Sequence, residues 1–256
     1  AMEARMLLLH ALGRSAHDRG WLLTHGPDTL PAGSWEPLQG LARRRLAGEP
    51  VAYLLGYREF YGLTLSVDAR VLDPRPDTET LVDWALQALP AGAARAVDLG
   101  TGSGAIALAL KSQRPDAEVE AVDASADALA VAHINARQLG LDVGFHQGSW
   151  LAPLHGLFDL VVSNPPYIAA GDPHLQALRH EPVSALTSGP DGLDDIRTLV
   201  AQSMAYLSAG GWLLLEHGHD QAQAVRDLLL HHGFGAVQSR RDLAGIERCS
   251  GGQKPL

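Results

Sequence analysis

Cysteine is nearly missing from this chain: Cys249 stands alone among 256 residues. One thiol excludes an internal disulfide and agrees with a reducing, cytoplasmic setting. Aromatic residues reach only 5% against a hydrophobic content of 46%, so the core has to be filled mainly by Ala, Leu and Val. No apolar run approaches the roughly 18 residues of a membrane span, and no signal-peptide pattern opens the chain. Ala1 ahead of Met2 reads as a leftover residue before the native methionine. Positive charge is also short: 20 Lys and Arg against 29 Asp and Glu give a net charge of −9. That balance argues against a protein that grips nucleic-acid backbones over a broad surface. The one dense basic run, Arg43-Arg44-Arg45, reads as a solvated helix face. The 12 histidines read as surface or core residues, and no metal is expected. Repeats and low-complexity segments are absent.

What is present divides at a proline-marked connector. Met6-Leu7-Leu8-Leu9 with Leu12 forms an apolar stripe ended by Gly13. Ser15 is placed to cap a second helix through Leu23, and Ser34 a third that carries Leu38, Leu41 and Leu46 and ends at Gly48. Arg58 to Val67 changes to a hairpin pattern around Gly62, and Pro74 and Pro76 close the connector. The expected organisation is a small helical domain over residues 1–50, a β-hairpin connector over 51–76 and an α/β domain over 77–256. In the last, Asp77 or Thr78 caps a helix with Leu81, Val82, Ala85 and Leu89. Strands follow at Ala96–Leu99, Val119–Val122, Val143–His146, Phe158–Val162 and Trp212–Glu216. Helices fill the gaps at Ala105–Gln113, Ala126–Leu139, Leu193–Leu207 and Gln221–His232. This alternation is the mark of a parallel sheet with crossovers. A closing pair, Ala236–Arg240 and Glu247–Cys249, reads as an antiparallel edge.

Two motifs carry chemistry. Asn164-Pro165-Pro166-Tyr167 follows the apolar run Phe158–Ser163, which reads as a buried parallel strand. Two prolines must end that strand, because neither donates to a ladder and each fixes its own φ. The chain therefore turns out rigidly at a strand's C-terminal end, where ligands bind in open α/β sheets. The Asn164 amide and the Pro165 carbonyl become two neighbouring acceptors, with the Tyr167 ring expected below them. That set suits a planar –NH2 group; the bland alternative is a proline-rich loop with a surface Asn.

The second motif, Asp98-Leu99-Gly100-Thr101-Gly102-Ser103-Gly104, joins the first core strand to a helix. Gly100 and Gly102 permit a tight turn close to a ligand, and Gly104 permits packing at the helix start. Asp123, at the next strand end, is placed to accept from two ribose hydroxyls. Gly100, Gly102 and Ala105 also satisfy the dinucleotide fingerprint, so NAD stays open on this loop alone. Against NAD stand the Asn-Pro-Pro-Tyr loop and the lack of a hydride-transfer constellation. Asp98 would suit the ammonium of S-adenosylmethionine, where a pyrophosphate would be repelled. Trp150 reads either as a wall beside the adenine or as a rim aromatic.

Pro74-Arg75-Pro76-Asp77-Thr78-Glu79, the Asp98–Gly104 loop, Ala121-Val122-Asp123, Ser163–Tyr167 and Leu215-Glu216-His217-Gly218 together resemble the HemK-type protein-(glutamine-N5) methyltransferases. The resemblance extends through Arg45, Gly48-Glu49-Pro50 and Arg58-Glu59-Phe60, hence over nearly the whole chain. Asn-Pro-Pro-Tyr is shared with adenine and guanine amino-methyltransferases; Pro-Arg-Pro-Asp-Thr-Glu with the helical domain is the more specific part. The resemblance implies a seven-stranded, Rossmann-like S-adenosylmethionine-dependent methyltransferase fold with a small N-terminal helical domain. It implies a substrate, the Gly-Gly-Gln glutamine of class 1 peptide-chain release factors, which act in translation termination. It assigns cofactor contact to Gly100, Thr101, Gly102, Ser103, Gly104, Asp123, Trp150 and Asn164. Acceptor binding and catalysis go to Asn164, Pro165, Pro166 and Tyr167, and the helical domain would help hold the release factor. A monomer with no direct nucleic-acid partner is expected. Three departures stand out: Asp73 where an apolar residue is usual, Ser149 in place of an acid before Trp150, and an N-terminal region that begins about one helix late.

The expected mechanism is positional. An amide nitrogen is a poor nucleophile, because its lone pair is delocalised into the carbonyl. Asn164 Oδ1 and the Pro165 carbonyl would each accept one N–H of the glutamine and aim the nitrogen at the methyl donor, with no general base required. The rival enzyme is a nucleic-acid amino-methyltransferase acting on N6 of adenine or N2 of guanine, which would hold a flipped base in the same corner. A rival of another class is a cofactor-binding partner module without turnover. Gly251-Gly252-Gln253 repeats the substrate tripeptide, which chance in a chain with 27 glycines accounts for.

Overall fold

The computed structural model describes residues 2–256; Ala1, on which part of the reading of the chain's start rests, lies outside them. Helix α1 (Met2–Ala11) buries Leu7 and Leu9, and Gly13 releases it at φ 68°. Helix α2 (Arg19–Thr24) starts later than expected. Asp18 caps it, its carboxylate accepting from the Trp21 N–H at 3.1 Å. Ser15 only turns the preceding loop by accepting from the His17 N–H. A carboxylate adds charge to the capping bond at the positive helix end, so the Ser15 cap is corrected to Asp18. Helix α3 (Trp35–Leu46) begins after Ser34, but without a side-chain cap bond.

Helix α4 (Val51–Leu55), opened by Pro50 and closed by left-handed Gly56, was not anticipated. It is the joint of the molecule. Leu54 and Leu55 pack with Leu7 and Ala16, while Ala52 and Tyr53 pack with Val67, Val71, Ala128 and Val131. Strands β1 (Tyr57–Phe60) and β2 (Leu63–Ser66) follow as an antiparallel hairpin. Its two turn residues, Tyr61 and Gly62, both have positive φ, the backbone that matches strand twist.

From helix α5 (Thr78–Ala88) onward the chain alternates as the sequence requires. Its elements are β3 (Arg95–Leu99), α6 (Ala105–Gln113), β4 (Glu118–Asp123), α7 (Ala126–Leu139), β5 (Gly144–Gln147) and β6 (Phe158–Ser163). There follow α8 (Asp194–Tyr206), β7 (Leu207–Glu216), α9 (Ala222–His231), β8 (Gly235–Arg241) and β9 (Glu247–Gln253). They build a seven-stranded sheet in the order β5-β4-β3-β6-β7-β9-β8. The first five of these strands run parallel, and β9 is antiparallel to both neighbours. One face packs on Leu81, Val82, Ile106 and Leu110, the other on Ile196, Leu199, Val225 and Leu229, so both faces of the parallel part are dry.

The closing pair is corrected in one respect: β9 is internal and only β8 forms the edge. Glycine is what lets β9 slide in. A Cβ on Gly251 would sit 2.7 Å from the Leu213 carbonyl, and one on Gly252 2.7 Å from Phe234 Cβ. The Gly-Gly-Gln tripeptide is therefore strand, and the Gln253 amide donates to the Gly210 carbonyl at 2.8 Å. That segment is not a tail able to reach the chain's own site.

Candidate active site

The sheet order reverses at β3, with β4 on one side and β6 on the other. Such a switch point leaves a crevice at the strands' C-terminal ends. Leu99 pairs with Val122 and with Ser163, and the Ser163 hydroxyl donates to the Leu99 carbonyl at 2.6 Å. The loops carrying Gly100, Asp123 and Asn164 thus leave the sheet side by side. Between them opens a cleft of about 350 Å³ whose walls include Gly100, Gly102, Asp123, Trp150, Asn164 and Pro166.

The glycine loop is a left-handed turn, with φ of 71° at Gly100, 55° at Gly102 and 84° at Gly104. The Gly100 and Thr101 N–H groups both donate to the Val122 carbonyl. The Gly102 N–H donates to Asp123 Oδ2 at 2.9 Å, and the Ser125 N–H to Oδ1 at 2.9 Å. Two backbone donors thereby orient the Asp123 carboxylate, whose remaining lone pairs serve a ligand. The Trp150 ring lies against Gly100, where an added Cβ would stand 3.3 Å from the ring. Trp150 itself has φ 49°, a left-handed conformation that a side chain of this size adopts only where its surroundings impose it.

Three of the expected cofactor residues are not on the cleft wall. Thr101 and Ser103 are buried; Thr101 donates its hydroxyl to Asp98 Oδ2 at 2.6 Å. Gly104 serves packing, since a Cβ there would meet Leu108 at 3.0 Å and Ala132 at 3.3 Å. Their part is to shape the loop. Asp98 is likewise turned inward, a correction to its expected exposure to a ligand ammonium. The carboxyl is fully buried, Oδ2 also accepts from the Ala107 N–H, and Oδ1 has no partner. Burial pushes its pKa up to about 7, against the pull of the Thr101 hydroxyl.

At the diproline corner, Asn164 Nδ2 donates to Thr78 Oγ1 at 3.2 Å. Among the described residues neither Asn164 Oδ1 nor the Pro165 carbonyl accepts any hydrogen bond. Tyr167 departs from its expected place under a bound amide. Its ring packs on the apolar cluster beneath the sheet's second face, its hydroxyl donates to Glu216 Oε1 at 3.4 Å, and it does not line the cleft. Its carbonyl is held by Gln221 Nε2 at 3.0 Å.

Sequence reasoning missed several contributors. Arg70, Val71 and Leu72 form one rim, and Pro182, Ser184 and Ala185 another; the connector taken as a boundary is a cleft wall. Asn135, fully buried, accepts from the Ser66 N–H at 2.7 Å and donates to the carbonyls of Ser66 and Ser103. It ties the hairpin to the glycine loop. The available signal was an amide on the apolar face of α7, between Val131 and Ala136. Arg75 pairs with buried Glu181 at 2.6 Å and lies 3.7 Å from Asp73, so the unusual Asp73 joins a charge cluster, its pKa raised by burial.

The donor set fits S-adenosylmethionine. Asp123 offers acceptors to a ribose diol, and Trp150 and Val122 offer apolar surface to a purine. Arg70, the basic side chain on the wall, is already paired with Asp68 at 2.6 Å, a poor provision for a pyrophosphate. Among the described residues no group of His, Cys, Asp and Glu is arranged to hold a metal, and no helix is long and apolar enough to cross a membrane.

Comparison with known proteins agrees with this geometry. A PrmC N-terminal domain model matches residues 1–56, and a Methyltransferase small domain model matches residues 78–190. A release factor glutamine methyltransferase from Xylella fastidiosa is 52% identical over 259 residues, covering 99% of this chain and 93% of that protein. One of the same name from Burkholderia pseudomallei is 52% identical over 266 residues, covering 100% and 92%. A crystal structure of a methyltransferase from Pyrococcus furiosus superposes with a TM-score of 0.60 at 18% identity, covering 85% of this chain and all of that one.

Proposed function

The chain belongs to the release factor glutamine methyltransferase family, and on that premise we propose that it transfers a methyl group from S-adenosylmethionine to the glutamine amide nitrogen of a release factor's Gly-Gly-Gln motif. It is a methyltransferase, and the family dependence on S-adenosylmethionine matches the donor set of the cleft. The carrying observation is Asn164 on the wall of the cleft with its Oδ1 unused, next to a Pro165 carbonyl that also accepts no hydrogen bond although Pro165 itself is buried and off the cleft wall. Identity over nearly the full length, helical region included, favours protein glutamine over the adenine or guanine amino group. The same identity to named transferases weighs against a module without turnover.

When bound, the cofactor supplies an electrophilic methyl on a sulfonium. The protein supplies position. Two acceptors hold the two N–H bonds of the glutamine carboxamide, so its π lone pair points out of the amide plane toward the donor. A glutamate carboxylate in the same place would meet two acceptors and no donor, so the corner rejects it. Holding reactants in line supplies up to about 7–11 kcal/mol of a barrier in favourable cases. The N-methylated amide, while it still carries both protons, is a strong acid and loses one to water, so no side chain need act as base. Asp123, held by the N–H groups of Gly102 and Ser125, anchors the nucleoside, and Trp150 and Gly100 close on its base. In this reading residues 1–50 hold the release factor, the 51–76 connector links and walls the cleft, and residues 77–256 perform the transfer.

The test is Asn164→Ala with purified release factor, cofactor and peptide mass analysis of the Gly-Gly-Gln fragment. Cofactor affinity stays within about threefold while the +14 Da product falls by roughly a hundredfold or more. Methylation at the wild-type rate would remove Asn164 from the mechanism.

A further inference from the structure

Two rims of the donor cleft come from distant parts of the chain: Arg70-Val71-Leu72 on one, and Pro182, Ser184 and Ala185 on the other. A sheet fixes the ends of its strands, but neither rim belongs to a strand. Some other contact has to set the distance between them. The residues that continue the first rim meet the residue that precedes the second.

Glu181 stands directly before Pro182, and its side chain is 2% exposed. Its Oε2 accepts from the N–H of Asp73, the residue after Leu72, at 3.3 Å, and its Oε1 accepts from Arg75 Nη2 at 2.6 Å. Water does not compete at so dry a carboxylate, and the guanidinium bond is charge-assisted and strong. The other end of the second rim is held as well. The Ile168 N–H donates to the Leu186 carbonyl at 2.9 Å, and the Ser188 N–H to the Ile168 carbonyl at 3.0 Å. Residues 182–185 therefore form a strap, pinned at Glu181 on one side and beside the Asn164–Tyr167 corner on the other. Arg75 carries the connection to the corner by a second route. Its carbonyl accepts from the Thr78 N–H at 3.1 Å, and Thr78 Oγ1 lies in a hydrogen bond of 3.2 Å with the Asn164 amide.

We propose that Glu181, with Arg75 as its partner, is a positioning residue that sets the width of the donor cleft and the place of the acceptor corner beside it. This rests on the reading of Asn164 given above. Neither Glu181 nor Arg75 lines the cleft, so neither touches a ligand, and the effect is carried by what they hold. Three parts share the one carboxylate. The 70–72 rim reaches it through the Asp73 N–H, the strap through the peptide bond to Pro182, and the corner through Arg75 and Thr78. Without the clasp, strap and corner drift relative to a cofactor anchored at Asp123, and about 1 Å of drift costs on the order of a hundredfold in rate.

The experiment compares Glu181→Gln, Arg75→Met, the two combined, and Asn164→Ala, recording for each the thermal midpoint, the kcat with purified release factor and the dissociation constant for S-adenosylmethionine. A glutamine at 181 has one acceptor end and one donor end, so whichever way its amide turns, one of the two arms is lost. Arg75→Met leaves the Glu181 charge buried without its cation, which lowers the midpoint. The combined variant carries no such charge and regains much of that loss. In all three the kcat falls by roughly tenfold or more, while the cofactor dissociation constant stays within about threefold because Asp123 and its two backbone donors are untouched. The decisive readout is the combined variant, in which the midpoint recovers and the kcat does not. If its kcat returns to wild type together with the midpoint, the pair serves stability alone and the inference is overturned. It is equally overturned if Glu181→Gln keeps the wild-type kcat. With Asn164→Ala inactive, the Asn164 reading survives either result. If Asn164→Ala is itself fully active, the reading beneath the inference has failed, and the inference with it.

Discussion

Replacing Asp123 with alanine separates the cofactor site from the acceptor corner, and the structure sets the size of the effect. The Asp123 carboxylate is held by the N–H groups of Gly102 and Ser125, both at 2.9 Å, with the cleft on its open side. Its remaining lone pairs are the acceptors for two ribose hydroxyls. Hydrogen bonds to a charged partner contribute about 1.5–3 kcal/mol each, so losing two costs about 3–6 kcal/mol of binding. At 1.4 kcal/mol per factor of ten, affinity for cofactor falls by at least about a hundredfold. Two backbone donors are freed as well, but both lie in partly buried loops that water reaches, so the fold survives with a loss of about 1–3 kcal/mol. Titration calorimetry with S-adenosylmethionine and its demethylated product, beside a denaturant curve, reads both quantities. A dissociation constant within threefold of wild type, in a variant that remains folded, would refute the ribose assignment. A weakened constant accompanied by complete loss of cooperativity would show that the carboxylate serves the loop and not the ligand. At saturating cofactor the variant's methylation rate should approach wild type, whereas no cofactor concentration rescues Asn164→Ala.

Asn135→Ala removes a fully buried amide and strands the Ser66 N–H and the carbonyls of Ser66 and Ser103. A stability loss of about 3–4 kcal/mol is expected, read by urea denaturation, and a loss under 1 kcal/mol would discredit the bridge between hairpin and glycine loop. The buried carboxyls of Asp98 and Glu216, both pushed up to about 7 by burial, predict a pH dependence of definite sign. Their folded values are raised above the unfolded ones. The stability they allow is therefore full below the ordinary carboxylate range and is lost as pH rises through about 7. The loss is on the order of 3 kcal/mol per group. Thermal midpoints from pH 5 to 8.5 should decline for the wild type and decline less for Glu216→Gln; parallel curves would contradict the burial argument.

The parts legible in the sequence were those whose cause is local. A double proline after an apolar run ends a strand whatever surrounds it, so the corner at Asn164–Tyr167 and its place at a strand end followed from four residues. The glycine loop and Asp123 followed from spacing, and the strand alternation gave the sheet. What failed depended on direction. Strand β3 is buried on both faces, so its pattern has no polar side from which to read where Asp98 points, and the loop claimed it. Tyr167 was expected beneath the substrate because it is flat and adjacent, but an apolar pocket and the Glu216 carboxyl drew it into the core. Helix α4 was missed because five residues are too few to show a period.

The connector shows how far a segment marked by prolines can be bonded to what lies on either side of it. Pro74 and Pro76 punctuate the chain without parting it. In the folded molecule Tyr53 of α4 donates its hydroxyl to the Val71 carbonyl, Glu181 receives Arg75 and the N–H of Asp73, and Arg179 and His180 both reach the Ala47 carbonyl. The segment between the helical region and the α/β body is therefore bonded to both, and its residues 70–72 stand in the cleft wall. A partner held by the helices would act on the rim of the donor cleft through covalently consecutive residues: Arg179 and His180 touch the helical region, Glu181 grips Arg75, and Pro182 lines the cleft. A shift of the helical region relative to the α/β body would break the bonds of Arg179 and His180 to the Ala47 carbonyl, three and two residues before Pro182 of the cleft wall. The helical region is in this way bonded to a segment that continues into the wall of the cleft.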